Sequence, residues 1–271
     1  MNSPDHIKES RREAEPAIHL INLCKNYKKP SNLLQALVGR GGTVNALKDI
    51  SLQIPPGVSF GIIGKNGSGK TTLLKIMATL IHANHGTMRI FGLDPVTDEK
   101  KIKSFTGYVP SDERSFFWRL TCQENLIFFG ALYGLPRGQL QERIDFFSSE
   151  LNMKSILRER FDTVSSGKKQ LLSFARGMLI DPSLLIVDEP TRSLDLETAI
   201  KVRHYLKQQV TEKKRTLIVA SHHLEDIDIL CDQVGVLQDG QLITTLTRKG
   251  GTSLSSQIMR YFKPEPGREQ P

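Results

Sequence analysis

One segment of this chain, GKNGSGKTT at residues 64–72, constrains the fold more than any other feature. An apolar run typical of a buried strand precedes it at 58–63, and an amphipathic run typical of a helix follows at 72–81. The segment fits G-x-x-x-x-G-K-[ST], and the fixed positions are Gly64, Gly69, Lys70 and Thr71. One face of the predicted helix carries Leu73, Ile76, Met77 and Leu80. The pattern predicts a strand, a glycine-rich loop and a helix in direct succession.

The residue types of this loop suit a bound phosphate group. Glycines let backbone N–H groups turn inward around an anion, and the N-terminus of the following helix favours negative charge. Lys70 is placed to reach the β- and γ-phosphates of a nucleotide, and the Thr71 hydroxyl is placed to ligate Mg²⁺. We therefore predict a nucleoside triphosphate site, to which the loop also contributes Asn66, Gly67, Ser68 and Thr72.

Hydropathy patterning indicates an α/β fold. The pattern is helical from about 112 to 180, and strands alternate with helices after that block. We predict a P-loop NTPase with a mostly parallel sheet core, an antiparallel β part and an inserted α-helical subdomain at about 112–180. Predicted strands lie at 17–23, 47–54, 58–63, 87–91, 105–109, 183–187, 215–220, 233–237 and 241–246. Predicted helices lie at 72–81, 123–133, 137–151, 168–180, 196–210 and 223–230.

Composition narrows the expected compartment and partners. No apolar run approaches the roughly 18 residues that a membrane span requires. The cysteines Cys24, Cys122 and Cys231 are far apart, so we expect free thiols in a reducing cytosol. The net charge of +8 comes from basic residues spread along the chain, so we expect a solvated surface and no nucleic acid partner.

A second informative segment, LLIVDE at 184–189, has the pattern of a buried strand that ends in two carboxylates. The end of a parallel strand is where an aspartate can reach a metal ion held by the phosphate loop. Asp188 is therefore predicted to hold Mg²⁺, directly or through water. Glu189 is placed to accept a proton from an attacking water molecule.

Three further segments complete a recognisable order: VSSGKKQ at 164–170, PTRSLD at 190–195 and SHH at 221–223. With the phosphate loop and the acidic strand end, this order resembles the ATP-binding subunit of the ABC transporter family, of the bacterial exporter type. The resemblance covers about residues 17–248, taken as the ATP-binding domain. We expect a disordered leader at 1–16 before it, and a C-terminal helix and polar tail at 249–271 after it.

The resemblance implies roles for further residues. In this family two subunits sandwich two ATP molecules, and the signature segment of one, here 164–170, faces the phosphate loop of the other. The signature positions that meet ATP across the dimer are Ser165, Ser166, Gly167 and Lys168. His222 matches the histidine that contacts the γ-phosphate, and the neighbouring His223 is the less favoured candidate. Asp195 matches a loop that couples the two sites, and Tyr27 matches an aromatic residue that stacks on adenine.

The clearest departure from the family pattern is Ser111, in YVPSDE at 108–113. The family usually has glutamine at this position, where it ligates Mg²⁺ and senses the transmembrane partner. A serine side chain is too short to replace glutamine directly. Either water bridges the gap, or Asp112 or Glu113 takes part.

The resemblance also implies a function. We expect ATP hydrolysis by a peripheral subunit on the cytoplasmic face of the inner membrane, with a second copy of itself and a separate transmembrane permease as partners. An insertion at 28–45 resembles exporters of polysaccharide or lipid-linked glycan; drug or antibiotic efflux is the alternative. Three other classes compete with a transporter subunit. Translation-type relatives carry two such units in one chain and repair-type relatives carry a long coiled coil, whereas this sequence shows one unit and no sustained heptads. A non-hydrolysing module would lack Glu189. The aromatic run at 116–118 either borders the permease groove, which we favour, or fills the subdomain core.

Overall fold

The computed structural model describes residues 15–28, 42–112, 115–250 and 252–262. Most of the predicted leader, residues 29–41 of the predicted insertion, Glu113 and the polar tail lie outside the described residues. The ends of the predicted insertion belong to strands, because β1 (Ile18–Lys28) and β2 (Thr43–Ile54) extend into it.

A six-stranded sheet forms the centre of the molecule. Its strands are β3 (Ser59–Ile63), β5 (Thr106–Val109), β6 (Leu184–Asp188), β7 (Thr216–Ala220), β8 (Gln233–Gln238) and β9 (Gln241–Thr247). They lie in the order β5-β6-β7-β3-β8-β9. Its first five strands are parallel, and β9 pairs antiparallel with β8. Every residue of β3, β6 and β7 is buried. Both faces of these strands are covered, which is why their sequences are continuous apolar runs.

A second, antiparallel sheet has the order β2-β1-β4, where β4 is His85–Ile90. Its apolar side chains pack with α1 (Lys70–Met77) against one face of the central sheet. The predicted fold class is therefore confirmed, including the antiparallel β part.

The remaining helices fall into two groups. The helical subdomain contains α3 (Cys122–Leu132), α4 (Arg137–Glu150), a short 3₁₀ turn (Phe161–Thr163) and α5 (Ser166–Met178). It lies between β5 and β6 in the chain, although these two strands are paired neighbours in the sheet. Elsewhere lie α2 (Glu99–Phe105), α6 (Leu196–Thr211), α7 (Leu224–Leu230) and α8 (Leu254–Phe262).

The predicted helix at 72–81 is too long at its C-terminal end. Thr79 adopts a left-handed φ of 56°, and the Leu80 N–H donates to the Lys75 carbonyl at 2.9 Å. This wrap-around hydrogen bond ends a helix in a Schellman motif. Leu80, predicted on the buried face, is therefore half exposed, whereas Leu73 lies in the core.

Candidate functional site

The phosphate loop, residues 64–72, runs from the end of β3 into α1 and encloses its own lysine. Lys70 is buried, and its ammonium group donates to the carbonyls of Gly64 at 2.8 Å and Lys65 at 3.3 Å. Gly69 has a φ of 105°, and a Cβ there would lie 2.5 Å from the Ala46 carbonyl oxygen. Only glycine fits this conformation and this close approach.

The loop ends where α1 begins, and this helix end is suited to an anion. Gly69 is the N-cap and offers no side chain to the N–H groups of the first turn. The first N–H groups of a helix have no partner within the helix, and its dipole favours negative charge there. The geometry therefore fits a phosphate beside Lys70, as the sequence predicts.

Three hydroxyl and carboxyl groups converge beside this loop. The hydroxyls of Thr71 and Ser111 both donate to Asp188 Oδ2, at 2.8 and 3.0 Å. Burial raises the pKa of Asp188 above its ordinary value, while these two hydrogen bonds and the nearby Lys70 act in the opposite direction. Asp188 Oδ1 is buried and has no hydrogen-bond partner among the described residues.

These oxygens fit a magnesium ion, because Mg²⁺ prefers carboxylate and hydroxyl ligands and the buried Oδ1 has an unused lone pair. The Ser111 hydroxyl reaches the carboxylate of Asp188, the predicted metal ligand, directly. Whether Ser111, Asp112 or Glu113 supports the metal stays a prediction.

The predicted catalytic pair lies at the ends of two neighbouring strands. Glu189 follows β6 and His222 follows β7, and Glu189 Oε2 lies 2.7 Å from His222 Nδ1. The backbone of Glu189 has a φ of 53°, and its N–H donates to the Ala220 carbonyl at 2.8 Å. A non-glycine residue in this left-handed region is strained, and such strain clusters at functional sites.

The structure distinguishes the two histidines. His222 bonds to Glu189, whereas His223 uses its backbone N–H to bond to the Ser221 hydroxyl at 3.0 Å. The ring centroids of the two histidines lie 4.0 Å apart. The geometry thus supports His222, the residue that the sequence favoured, as the partner of Glu189.

The signature segment, residues 164–170, opens α5 and contacts other parts of the same chain. Ser165 is the N-cap of α5, Ser166 is its first residue, and the ammonium group of Lys168 lies 3.9 Å from Glu159. The sequence predicts that Lys168 meets a phosphate of ATP across the dimer. Within this single chain, the acidic group near Lys168 is the carboxylate of Glu159. A Cβ at Gly167 would lie 2.7 Å from the Ser193 carbonyl oxygen, so this glycine allows close packing.

The predicted coupling residue, Asp195, is the N-cap of α6 and ends the loop 190–195, which we call the coupling loop. Its carboxylate accepts hydrogen bonds from the Thr198 N–H and hydroxyl, both at 2.9 Å. The bond from the Thr198 backbone holds the pKa of Asp195 below its ordinary value. This capping explains the residue within one chain, and its predicted role across a dimer stays a prediction.

Tyr27 lies near the end of β1 with its ring partly exposed. Its strand partner is Val44 on β2, two residues from Ala46, whose carbonyl packs against Gly69 of the phosphate loop. The ammonium group of Lys25 lies 5.3 Å from the centroid of the Tyr27 ring. An exposed aromatic face beside the phosphate loop fits adenine stacking, and Lys25 is a neighbour that the sequence did not reveal.

The aromatic run at 116–118 divides between core and surface. Phe116 is buried and stacks on Phe161 at 4.7 Å between centroids, whereas Trp118 is 65% exposed. Phe117 is also exposed, and its backbone is held by the side chain of buried Asn125 through bonds of 2.9 and 3.0 Å. The core reading therefore holds for Phe116, whereas the permease contact of Phe117 and Trp118 stays a prediction.

The fold and these residues define a P-loop NTPase cassette. A family model described as "ABC transporter" matches residues 47–192, and this chain belongs to that family. The chain is 34% identical to the ABC transporter ATP-binding protein NatA of Bacillus subtilis over 74% of this chain and 81% of that protein. It is 30% identical to the linearmycin resistance ATP-binding protein LnrL of Bacillus subtilis over 80% and 68% of the two chains.

A solved structure shares this architecture. It is the dimeric, post-hydrolysis ATP-binding cassette MJ0796 bound to ADP and Pi, with a TM-score of 0.74 and 25% identity. The alignment covers 86% of this chain and 99% of the cassette. The chain is therefore an ABC transporter ATP-binding subunit and an ATPase. Within the part that the structure describes, no helix is both long and apolar enough to cross a membrane.

Proposed function

We propose that this chain powers export through a separate transmembrane permease, acting as a dimer that closes around two ATP molecules. The observation that carries the proposal is the Glu189–His222 pair, which lies at strand ends next to the carboxylate of Asp188 and the lysine of the phosphate loop. This combination provides a proton acceptor, a metal-binding carboxylate and a phosphate-binding cation at one edge of the sheet.

Each residue has a task in hydrolysis of the β–γ bond. Lys70 and the N–H groups at the start of α1 bind the phosphates and offset their charge. Thr71 and Asp188 would hold Mg²⁺, which supplies further charge neutralisation at the phosphates when bound. Glu189 accepts the proton of the attacking water, and His222 orients Glu189 through the bond between Nδ1 and Oε2.

We infer that the second copy completes the site through the signature segment. Ser165 leaves its hydroxyl unused as a helix cap, and Ser166 and Gly167 begin the N-terminal turn of α5, which favours an anion. The solved cassette MJ0796 is dimeric and holds ADP and Pi, which supports the same arrangement for this chain. Lys168 would exchange its contact with Glu159 for the γ-phosphate on dimer closure.

We place the permease at a groove between the central sheet and the helical subdomain. This cavity of about 720 Å³ is lined by apolar and basic side chains that include Leu132, Tyr133, Lys75, Lys100 and Arg176. The exposed rings of Phe117 and Trp118 belong to the same subdomain. Docking there would hold the subunit at the cytoplasmic face of the inner membrane.

For the cargo we propose an antibiotic-like compound rather than a glycan. A relative covering most of this chain is a linearmycin resistance protein, whereas the glycan prediction depends on the insertion at 28–45, most of which lies outside the described residues. Resistance to linearmycin, measured in cells that express this chain with its permease, tests the class. Unchanged resistance together with altered surface polysaccharide would favour the glycan.

The dimer and the catalytic roles are tested together with purified protein. Glu189→Gln should retain ATP affinity, accumulate an ATP-dependent dimer on gel filtration and release phosphate at least ~10²-fold more slowly, the scale of lost general-base catalysis. Lys70→Ala is the matched control, because it should lose ATP binding and the dimer together. Near-normal turnover in Glu189→Gln would refute the assignment of the base.

A further inference from the structure

One buried carboxylate lies between the segments that carry Glu189 and His222. Asp226, in the first turn of α7, is fully buried. Its oxygens accept hydrogen bonds from the Thr191 hydroxyl at 3.0 Å and the Ser221 hydroxyl at 2.8 Å. The sequence did not single out any of these three residues.

The two hydroxyl donors stand close to the catalytic pair in the chain. Thr191 follows Glu189 by two residues, and Ser221 directly precedes His222. The Ser221 hydroxyl also accepts a hydrogen bond from the backbone N–H of His223 at 3.0 Å. Ser221 thus restrains the backbone before and after His222. One carboxylate therefore fixes the chain after the predicted base and the chain around the predicted histidine.

A third bond joins this centre to α6. The guanidinium group of buried Arg203 donates from Nε to Asp226 Oδ1 at 2.7 Å and lies 3.0 Å from Glu225 Oε1. The helix that carries Arg203 is capped at its N-terminus by Asp195, the last residue of the coupling loop. The network thus connects both strand ends to the helix that starts at the predicted dimer contact.

Packing alone does not require a charge at this position. A buried ion pair contributes little net stability compared with apolar residues of the same volume, whereas removal of one partner is costly. The strained backbone of Glu189, with a φ of 53°, persists only where its surroundings hold it. A carboxylate that accepts bonds from both neighbouring segments supplies such a restraint.

We propose that Asp226 is a positioning residue that fixes the distance and orientation between Glu189 and His222. The proposal rests on the catalytic roles given to that pair above. The proposal predicts that loss of the carboxylate lowers kcat while ATP binding is kept, because none of the bonds that Asp226 makes among the described residues involves the phosphate loop.

The test is Asp226→Asn in the full-length protein. We expect kcat to fall by about 10²-fold, the effect of a displacement of about 1 Å at a catalytic group, with KM for ATP within about twofold of the wild type. The ring-nitrogen NMR shifts of ¹⁵N-labelled His222, assigned with His222→Gln, should move as the Nδ1 bond to Glu189 loosens. If Asp226→Asn does not fold, Thr191→Val and Ser221→Ala each remove one donor and should change kcat and the NMR shifts in the same direction.

Asp228→Asn is the matched control on the same helix. Asp228 accepts bonds from Ser253 and Ser255, which tie α8 to α7, and within the described part of the chain it bonds to neither catalytic segment. An equal loss of kcat in this control would show a general structural effect and overturn the proposal. Wild-type kcat and unchanged His222 shifts in folded Asp226→Asn would overturn it as well. Normal turnover in Glu189→Gln would instead refute the catalytic roles, and the His222 shifts would still decide the positioning.

Discussion

Ser111→Ala removes one of the two hydroxyls that donate to Asp188 Oδ2. A hydrogen bond to a charged group contributes about 1.5–3 kcal/mol. We expect the Ser111 bond to be kept when Mg²⁺ binds the other side of the carboxylate, so its loss should weaken metal binding. The bond from Thr71 remains, so we expect a loss near the lower end of that range. Since about 1.4 kcal/mol corresponds to a tenfold change in an equilibrium constant, the free Mg²⁺ needed for half-maximal ATPase activity should rise about 10-fold.

The assay is phosphate release at saturating ATP, with free Mg²⁺ varied. Ser111→Gln should bring the Mg²⁺ requirement back towards that of the wild type, because the amide oxygen of glutamine reaches further and is itself a metal ligand. Asp112→Asn tests the alternative that Asp112 supports the metal in place of the usual glutamine. We expect this variant to leave the Mg²⁺ requirement unchanged. If Ser111→Ala gives the wild-type curve, or if Asp112→Asn shifts it instead, the hydroxyl is not the group that supports the metal.

Three further outcomes are expected. Tyr27→Ala should weaken ATP and ADP equally, by about the 1–3 kcal/mol of one aromatic–base stack; calorimetry showing unchanged affinities would remove the adenine role. Leu132→Ala, at an exposed residue that lines the proposed groove, should keep its fold and lose co-sedimentation with permease-containing membranes, whereas Phe116→Ala, which empties a core position, should lower stability by about 3–5 kcal/mol; membrane binding like the wild type in Leu132→Ala would place the docking surface elsewhere. Although burial raises the pKa of Asp232, hydrogen bonds from Ser59 hold it below its ordinary value. The stability that this carboxylate contributes is therefore present above about pH 4 and is lost as pH falls through the lower folded pKa, so thermal melts of Asp232→Asn and the wild type should converge in acid; a gap that persists there would contradict this reasoning.

The sequence predicted the elements whose patterns are local. The buried strands β3, β6 and β7 read as apolar runs because both faces of the sheet are covered, and the phosphate loop carries its own glycine spacing. The order of the motifs predicted the family, and the match to the ABC transporter family model and the likeness to the cassette MJ0796 confirmed it.

Features that depend on contacts distant in sequence were not predictable in this way. The end of α1 is set by the left-handed backbone at Thr79, and the helix α2 has only one buried residue, Ile102, so its pattern gave no signal. The reach of Ser111 to Asp188 depends on the pairing of β5 with β6 across the inserted subdomain. Such a distance follows from the sheet register, and a single residue type does not reveal it.

The coupling loop, residues 190–195, contacts three other parts of the candidate site. Its Thr191 bonds to Asp226, its Ser193 carbonyl packs against Gly167 of the signature segment, and its Asp195 caps α6. Since a Cβ at residue 167 would lie only 2.7 Å from that carbonyl, the backbones of the signature segment and the loop lie close together. A second copy that engages the signature segment would therefore press on the loop that carries Thr191. Through Asp226, we expect that displacement to reach Ser221 and the histidine that follows it, which would link ATP bound across the proposed dimer to the geometry of the predicted catalytic pair.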